Sequence, residues 1–393
     1  MKKVSMFEVI ALSITVASST AVLFTPYFTA QIAGQSAWIA ALAAGLLTCI
    51  PTAAAVGLMA RFPGQSLIKA LPQLLGGVLG KTLSVLYAGF FIFFAALSVW
   101  RIEAFTIRFL LPETPQVVIR ALFLLAVGYA AMSGTVSLLR TNVYVLPLEI
   151  LVPLLAVILP AARLDFSFLL PLFEEGIKPV LDGTILLLGW FCQVPIVIMM
   201  YQWLVTDSRR RGWSLKAVAG TLAVTATIGI GFIGILAAFG PSQTRTMFYP
   251  AFALVRIISV STFLEHTEVI FVVVWVASIY LTTTFYIQSF AESISDTFNI
   301  KGGSAKLWIM MATVLALIAW PLFHQMSFFS LIAILKNVGS IVGVVFGGAI
   351  PILLFLRVLL FPPKNKSPEG QEEGQSTGGG VFGSKIKDQT DSN

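Results

Sequence analysis

The chain has 393 residues, of which 57% are hydrophobic and 11% charged, with a net charge of +7. A soluble globular chain carries about twice that charged fraction, so the composition excludes a soluble enzyme or nucleic-acid-binding domain and describes a polytopic protein embedded in membrane lipid. The basic excess is spread over short connections, where it bears on orientation rather than on nucleic acid.

At about 20 apolar residues per crossing, the sequence predicts ten spans, near 7–33, 37–60, 81–111, 116–135, 142–162, 183–205, 213–240, 265–294, 305–323 and 338–360. Met1-Lys2-Lys3 before an apolar run resembles a signal peptide, but the run is too long and many spans follow, so it reads as a retained first helix. Cys49 and Cys192 fall inside spans, where free thiols behave as small apolar groups. They imply no disulfide framework, and no metal or cofactor site is expected. The stretch 166–181, ringed by Asp165, Glu174, Glu175 and Asp182, is too polar to cross. Residues 251–264 are apolar around Arg256 and read as an interfacial or re-entrant helix. Beyond residue 361 the chain is rich in Pro, Gly, Ser and charge, which predicts a disordered tail over 361–393.

Ten crossings place both termini on one side. Assigning loops alternately puts 17 Lys and Arg residues on that side and 8 on the other. The positive-inside rule then makes both termini cytoplasmic.

Two spans carry interruptions. Span one has Ser18, Ser19 and Thr20 at its middle and Pro26 beyond; span six has Gln193 and Pro195. Backbone freed inside a membrane survives only where it faces protein or a wet cavity. Dividing the ten spans into five and five gives a first repeat over 1–165 and a second, inverted one over 166–360, with spans one and six equivalent. The expected fold is therefore all-α integral membrane, with ten transmembrane helices in a LeuT-type five-plus-five inverted repeat and helices one and six interrupted.

Candidate chemistry follows from that plan. Ser18, Ser19, Thr20 and Gln193 offer hydrogen bonds where the helices unwind; the competing reading is close helix packing by small residues. Thr282, Thr283 and Thr284 in span eight are candidates for an ion site, against the alternative that they bond back to their own helix. Arg101, Glu103 and Arg108 bring charge into span three; Glu103 with Arg101 is a candidate lining for an ion or water path, against the alternative that this end has reached the interface, where long side chains snorkel. Glu149 in span five is of the same kind. Gly339, Gly343 and Gly347 share one face of span ten and predict close helix contact. Enzyme signatures are absent: Gly76–Thr82 fails the phosphate-loop spacing, the two histidines, His266 and His324, have no ligand spacing, and no nucleophile elbow occurs.

Several stretches together resemble the endospore germination permeases, the B subunits of spore germinant receptors. They are Ala37-Trp38, Arg61-Phe62-Pro63-Gly64-Gln65-Ser66, the corner Leu110-Leu111-Pro112-Glu113-Thr114-Pro115, Glu175-Gly176-Ile177-Lys178-Pro179 with Gly183, Tyr249-Pro250 with Val255-Arg256, Phe263-Leu264-Glu265, and Trp275. The resemblance covers nearly all of 5–360. It implies the amino acid/polyamine/organocation superfamily fold in the spore inner membrane, a small nutrient germinant as ligand, and A and C receptor subunits as partners. It also implies ligand contact at the broken parts of helices one and six with helices three and eight beside them. Here those regions offer Ser18, Ser19, Thr20, Trp190, Gln193 and Val194, with Leu97 and Ser278 as neighbours. Helix one departs from the family, carrying Ser18-Ser19-Thr20-Ala21 where a glycine-containing run is common. A sodium- or proton-coupled amino acid transporter and a structural anchor for partner subunits are the rival expectations.

Overall fold

The computed structural model describes residues 4–205, 212–257, 268–323 and 327–361. The last part of the expected re-entrant segment and nearly all of the expected tail lie outside the described residues. The helices in chain order are α1 (Met6–Ala21), α2 (Thr25–Ala33), α3 (Ala37–Met59), α4 (Leu67–Leu75), α5 (Gly77–Phe109), α6 (Gln116–Met132) and α7 (Thr135–Ile158). Then follow α8 (Lys178–Phe191), α9 (Gln193–Tyr201), α10 (Trp213–Thr244), α11 (Pro250–Arg256), α12 (Glu268–Thr297), α13 (Gly303–Phe323) and α14 (Phe328–Leu360).

Two prolines set the plan. A proline ring clashes with the carbonyl four residues upstream and has no N–H for the ladder. Four residues before Pro26 is Val22, and α1 ends just ahead of it, with α2 resuming at Thr25. Four residues before Pro195 is Phe191, where α8 ends; Cys192 turns and α9 resumes at Gln193. Pro51, Pro147 and Pro153 sit inside α3 and α7 without ending them.

Among the described residues eight helical runs are long and apolar enough to cross a membrane, counting Thr25–Met59 and Lys178–Tyr201 as one run each. Two further apolar helices, Met6–Ala21 and Gln116–Met132, are shorter. The boundaries thus differ from the ten even spans expected. The break removes three residues from span one and leaves α1 with 16 residues, while α2 continues almost directly into α3.

The broken helices occupy the centre. Every residue of α1 from Val9 to Ala21 is buried, as is all of α9. α1 packs on α7, α9, α10 and α12, α2 packs on α8, α3 on α10, and α5 on α12. An isolated parallel bridge joins Val4 to Val205, at the start of α1 and the end of α9. Outside this core α6 and α13 pack together and expose Leu122, Leu125, Tyr129, Trp308 and Leu315, the apolar surface that lipid requires.

The glycine stripe of α14 faces helix six. A Cβ on Gly343 would lie 1.9 Å from the carbonyl oxygen of Gly189, and one on Gly347 would lie 1.8 Å from that of Cys192. Backbone touches backbone here, as the spacing predicted. Two π-helical turns, Ile334–Gly339 and Val344–Ala349, widen α14 over the same contact.

Candidate functional site

Breaking α1 frees carbonyls that an unbroken helix would satisfy. Val22 N–H still reaches the Ser18 carbonyl at 3.0 Å, the last regular bond. The Ser19 carbonyl instead accepts from Trp275 Nε1–H of α12 at 3.2 Å. The Thr20 carbonyl accepts from Arg101 Nη1–H of α5, also at 3.2 Å. The Thr25 hydroxyl closes on the Ala21 carbonyl. Side chains from two other helices therefore cap the break, which is what lets it persist in hydrocarbon.

Arg101 is 1% exposed. Its Nε–H donates to the Leu97 carbonyl at 3.3 Å and its Nη2–H to Ser98 Oγ at 2.8 Å, and its guanidinium lies 5.9 Å from the centre of the Trp190 ring. Placing arginine at mid-bilayer costs about 2.5–3.5 kcal/mol on the insertion scale, and these contacts offset part of that cost. Trp190 comes from α8, just before the second break, and meets Phe94 edge-on. Its Nε1–H has no partner among the described residues. Gln193, just after that break, accepts from the Tyr286 hydroxyl of α12 through Oε1, while its Nε2 has no partner among the described residues.

The structure thus brings Thr20, Leu97, Trp190 and Gln193 around Arg101 and Tyr286. Val194 is buried beside Gln193 in α9. Ser18, Ser19 and Ser278 line a separate small cavity of about 30 Å³ with Trp275 and Glu149. There Glu149 Oε2 accepts from the Thr15 hydroxyl at 2.7 Å, with Ser278 beside the same carboxylate. Ser19 Oγ stands 2.7 Å from Thr282 Oγ1. Thr283 and Thr284 instead donate to the Ile279 and Tyr280 carbonyls at 2.7 and 2.8 Å, so only Thr282 reaches the break.

Glu103 does not pair with Arg101. Two residues on a helix are about 200° apart, and Glu103 points away to form a buried forked ion pair with Arg120 of α6, Nη2 to Oε2 being 3.1 Å. That pair floors a cavity of about 280 Å³ bordered by Trp100, Arg108, Gln116 and Phe328. Among the described residues no group of three or more His, Cys, Asp or Glu is placed to hold a metal.

Sequence reasoning passed over Ser98 and Tyr286 and set Glu103 beside Arg101 along one path, whereas their side chains take different partners. A signal existed: Trp275, Ser278, Thr282 and Tyr286, spaced by three, four and four residues, form one polar stripe along α12.

An all-helical membrane core with two facing broken helices is the LeuT-type transporter architecture, and solved structures agree. MhsT in complex with L-phenylalanine superposes with a TM-score of 0.60 at 15% identity, covering 91% of this chain and 99% of that one. Mhp1, a nucleobase-cation-symport-1 family transporter in a closed conformation with bromovinylhydantoin bound, gives 0.59 at 15% identity, covering 93% and 95%.

The sequence itself matches the family model for spore germination proteins over residues 3–328, and the chain belongs to that family. Among its relatives, spore germination protein YndE of Bacillus subtilis (strain 168) is 24% identical over 333 residues, 84% of this chain and 88% of that protein. Spore germination protein KB of the same organism is 23% identical over 322 residues, 80% and 84%. Spore germination protein XB of Bacillus anthracis is 25% identical over 173 residues, 44% of this chain and 48% of its own length.

Proposed function

We propose that this chain is the nutrient-sensing membrane subunit of a spore germinant receptor, lying in the spore inner membrane with both termini cytoplasmic. A small germinant, an amino acid, binds between the broken helices, favours one arrangement of their halves over another, and passes that shift to A and C partner subunits. The observation that carries this reading is the meeting of two helix breaks around buried groups with unmet hydrogen bonds, Trp190 Nε1 and Gln193 Nε2. Unpaired donors inside a protein are costly, and a ligand that satisfies them is bound more tightly by the state that offers them.

The test is germination of spores carrying Gln193→Ala, scored against a panel of amino acids and sugars with receptor abundance checked by immunoblot. A response to one nutrient should move to higher concentration at unchanged abundance. Unaltered dose responses would remove the pocket from the mechanism. One contact, Ser19 to Thr282, favours coupled transport as a second reading, because it puts a hydroxyl pair of α1 and α12 at the break. Uptake of labelled amino acid into proteoliposomes under an imposed sodium or proton gradient, and its loss in Thr282→Val, would decide for transport.

A further inference from the structure

Resting on the pocket just proposed, we infer that Arg101 is the group that reads the ligand, and that the ligand presents a carboxylate to it. The unmet side-chain groups that face each other at the second break, Trp190 Nε1 and Gln193 Nε2, are both donors. Arginine carries five N–H bonds, and Arg101 uses one each on Leu97, Thr20 and Ser98, leaving two. The Trp190 Nε1–H and the Gln193 Nε2 hydrogens are also unspent. Among the described residues no carboxylate is paired with Arg101: Glu103 is taken by Arg120, and Glu149 is bonded to Thr15 at the small cavity.

A group that only donates, such as an ammonium, gains nothing from such surroundings. An ionised carboxylate only accepts, through two oxygens with about four lone-pair sites, and matches the planar fork of a guanidinium in a bidentate pair. The present partners of Arg101 are neutral: two carbonyls and a hydroxyl. A carboxylate displaces them because it adds an opposite charge and a second, parallel hydrogen bond, where each carbonyl or hydroxyl offers a neutral oxygen to a single N–H.

The same geometry ties recognition to movement. Arg101 Nη1 now holds the Thr20 carbonyl, the last turn of α1 before its break. A carboxylate that draws the guanidinium away releases that turn from α5. One side chain therefore both identifies the ligand and holds helix one in place until the ligand arrives.

The experiment uses the full chain in lipid nanodiscs, with the unfolding midpoint read from tryptophan fluorescence. The probes are L-alanine, L-valine, L-leucine and L-phenylalanine, each beside its own carboxamide, which keeps shape and loses the charge. At least one acid should stabilise the wild type, with its carboxamide needing roughly 100-fold higher concentration for the same shift, equivalent to about 2.8 kcal/mol. R101Q should erase the difference between acid and carboxamide, and R101K, which keeps the charge without the fork, should retain part of it. Equal stabilisation by acid and carboxamide in the wild type overturns the inference and leaves the pocket standing. So does an acid effect that Gln193→Ala abolishes and R101Q leaves intact. A wild type that no probe stabilises overturns both readings. The wild-type comparison decides alone where R101Q does not fold.

Discussion

Replacing Gly347 by alanine tests whether the contact between α14 and the broken helix six holds the site together. The added Cβ would sit 1.8 Å from the Cys192 carbonyl oxygen, whereas Cβ contacts below 3.0 Å are essentially never found, so the helices must separate by about 1.2 Å. The obstacle is backbone on both sides, so no side chain can rotate out of the way. Overpacking of this kind costs about 1–3 kcal/mol, and the upper end applies where two helix backbones must part. In a domain of 150–250 residues each kcal/mol moves the midpoint by about 2–4 °C, so a loss of several degrees is expected in this longer chain. Gly89→Ala is the control: that glycine is exposed on α5 and a Cβ there meets nothing within 4 Å. Fluorescence-detected unfolding of both variants in the same detergent gives the comparison. If Gly347→Ala unfolds at the wild-type temperature, the close approach of α14 to Cys192 is not a feature of the folded protein.

Other outcomes follow from the same contacts. Thr282→Val removes the Ser19 bond and should cost about 1 kcal/mol, whereas Thr283→Val, which loses only a bond to its own helix, should unfold close to wild type; chemical denaturation separates the two. Glu103→Gln leaves Arg120 buried without its counter-charge and should destabilise by about 3–5 kcal/mol, while the double variant Glu103→Leu with Arg120→Met should recover most of that loss. Tyr286→Phe strips the donor from Gln193 Oε1 and should shift the germination dose response in the direction of Gln193→Ala, at a stability cost of about 1–3 kcal/mol read by thermal unfolding.

Composition and the two prolines made the membrane class and the paired breaks legible in advance. Their alignment was harder. Matching Ser18–Thr20 to Gln193 by depth put the two halves out of register, because Ser18–Thr20 precede their break and Gln193 follows its own. Counting four residues back from each proline restores it. Proline alone does not predict a break, since Pro51, Pro147 and Pro153 ride inside α3 and α7. What separates Pro26 is the presence of Arg101 and Trp275 on neighbouring helices to donate to the freed carbonyls, and such tertiary caps leave no local pattern. Glu103 shows the same limit: its distance from Arg101 along the chain was short, yet its direction round the helix chose Arg120.

The bridge between Val4 and Val205 bears on mechanics. It clasps the far ends of α1 and α9, which also pack on each other, while α2 and α8 pack as a second pair beyond the breaks. The four half-helices thus pack as two pairs joined at Val22–Phe24 and Cys192, and the proposed mechanism would use those joints as pivots. α1 alone, with 16 residues at 1.5 Å rise, makes a lever of about 24 Å. A turn of ~10° at the pivot, beside Arg101, carries its clasped end by ~4 Å. Under the proposed mechanism, a molecule too small to reach the membrane surface would move that surface from the middle of the bilayer.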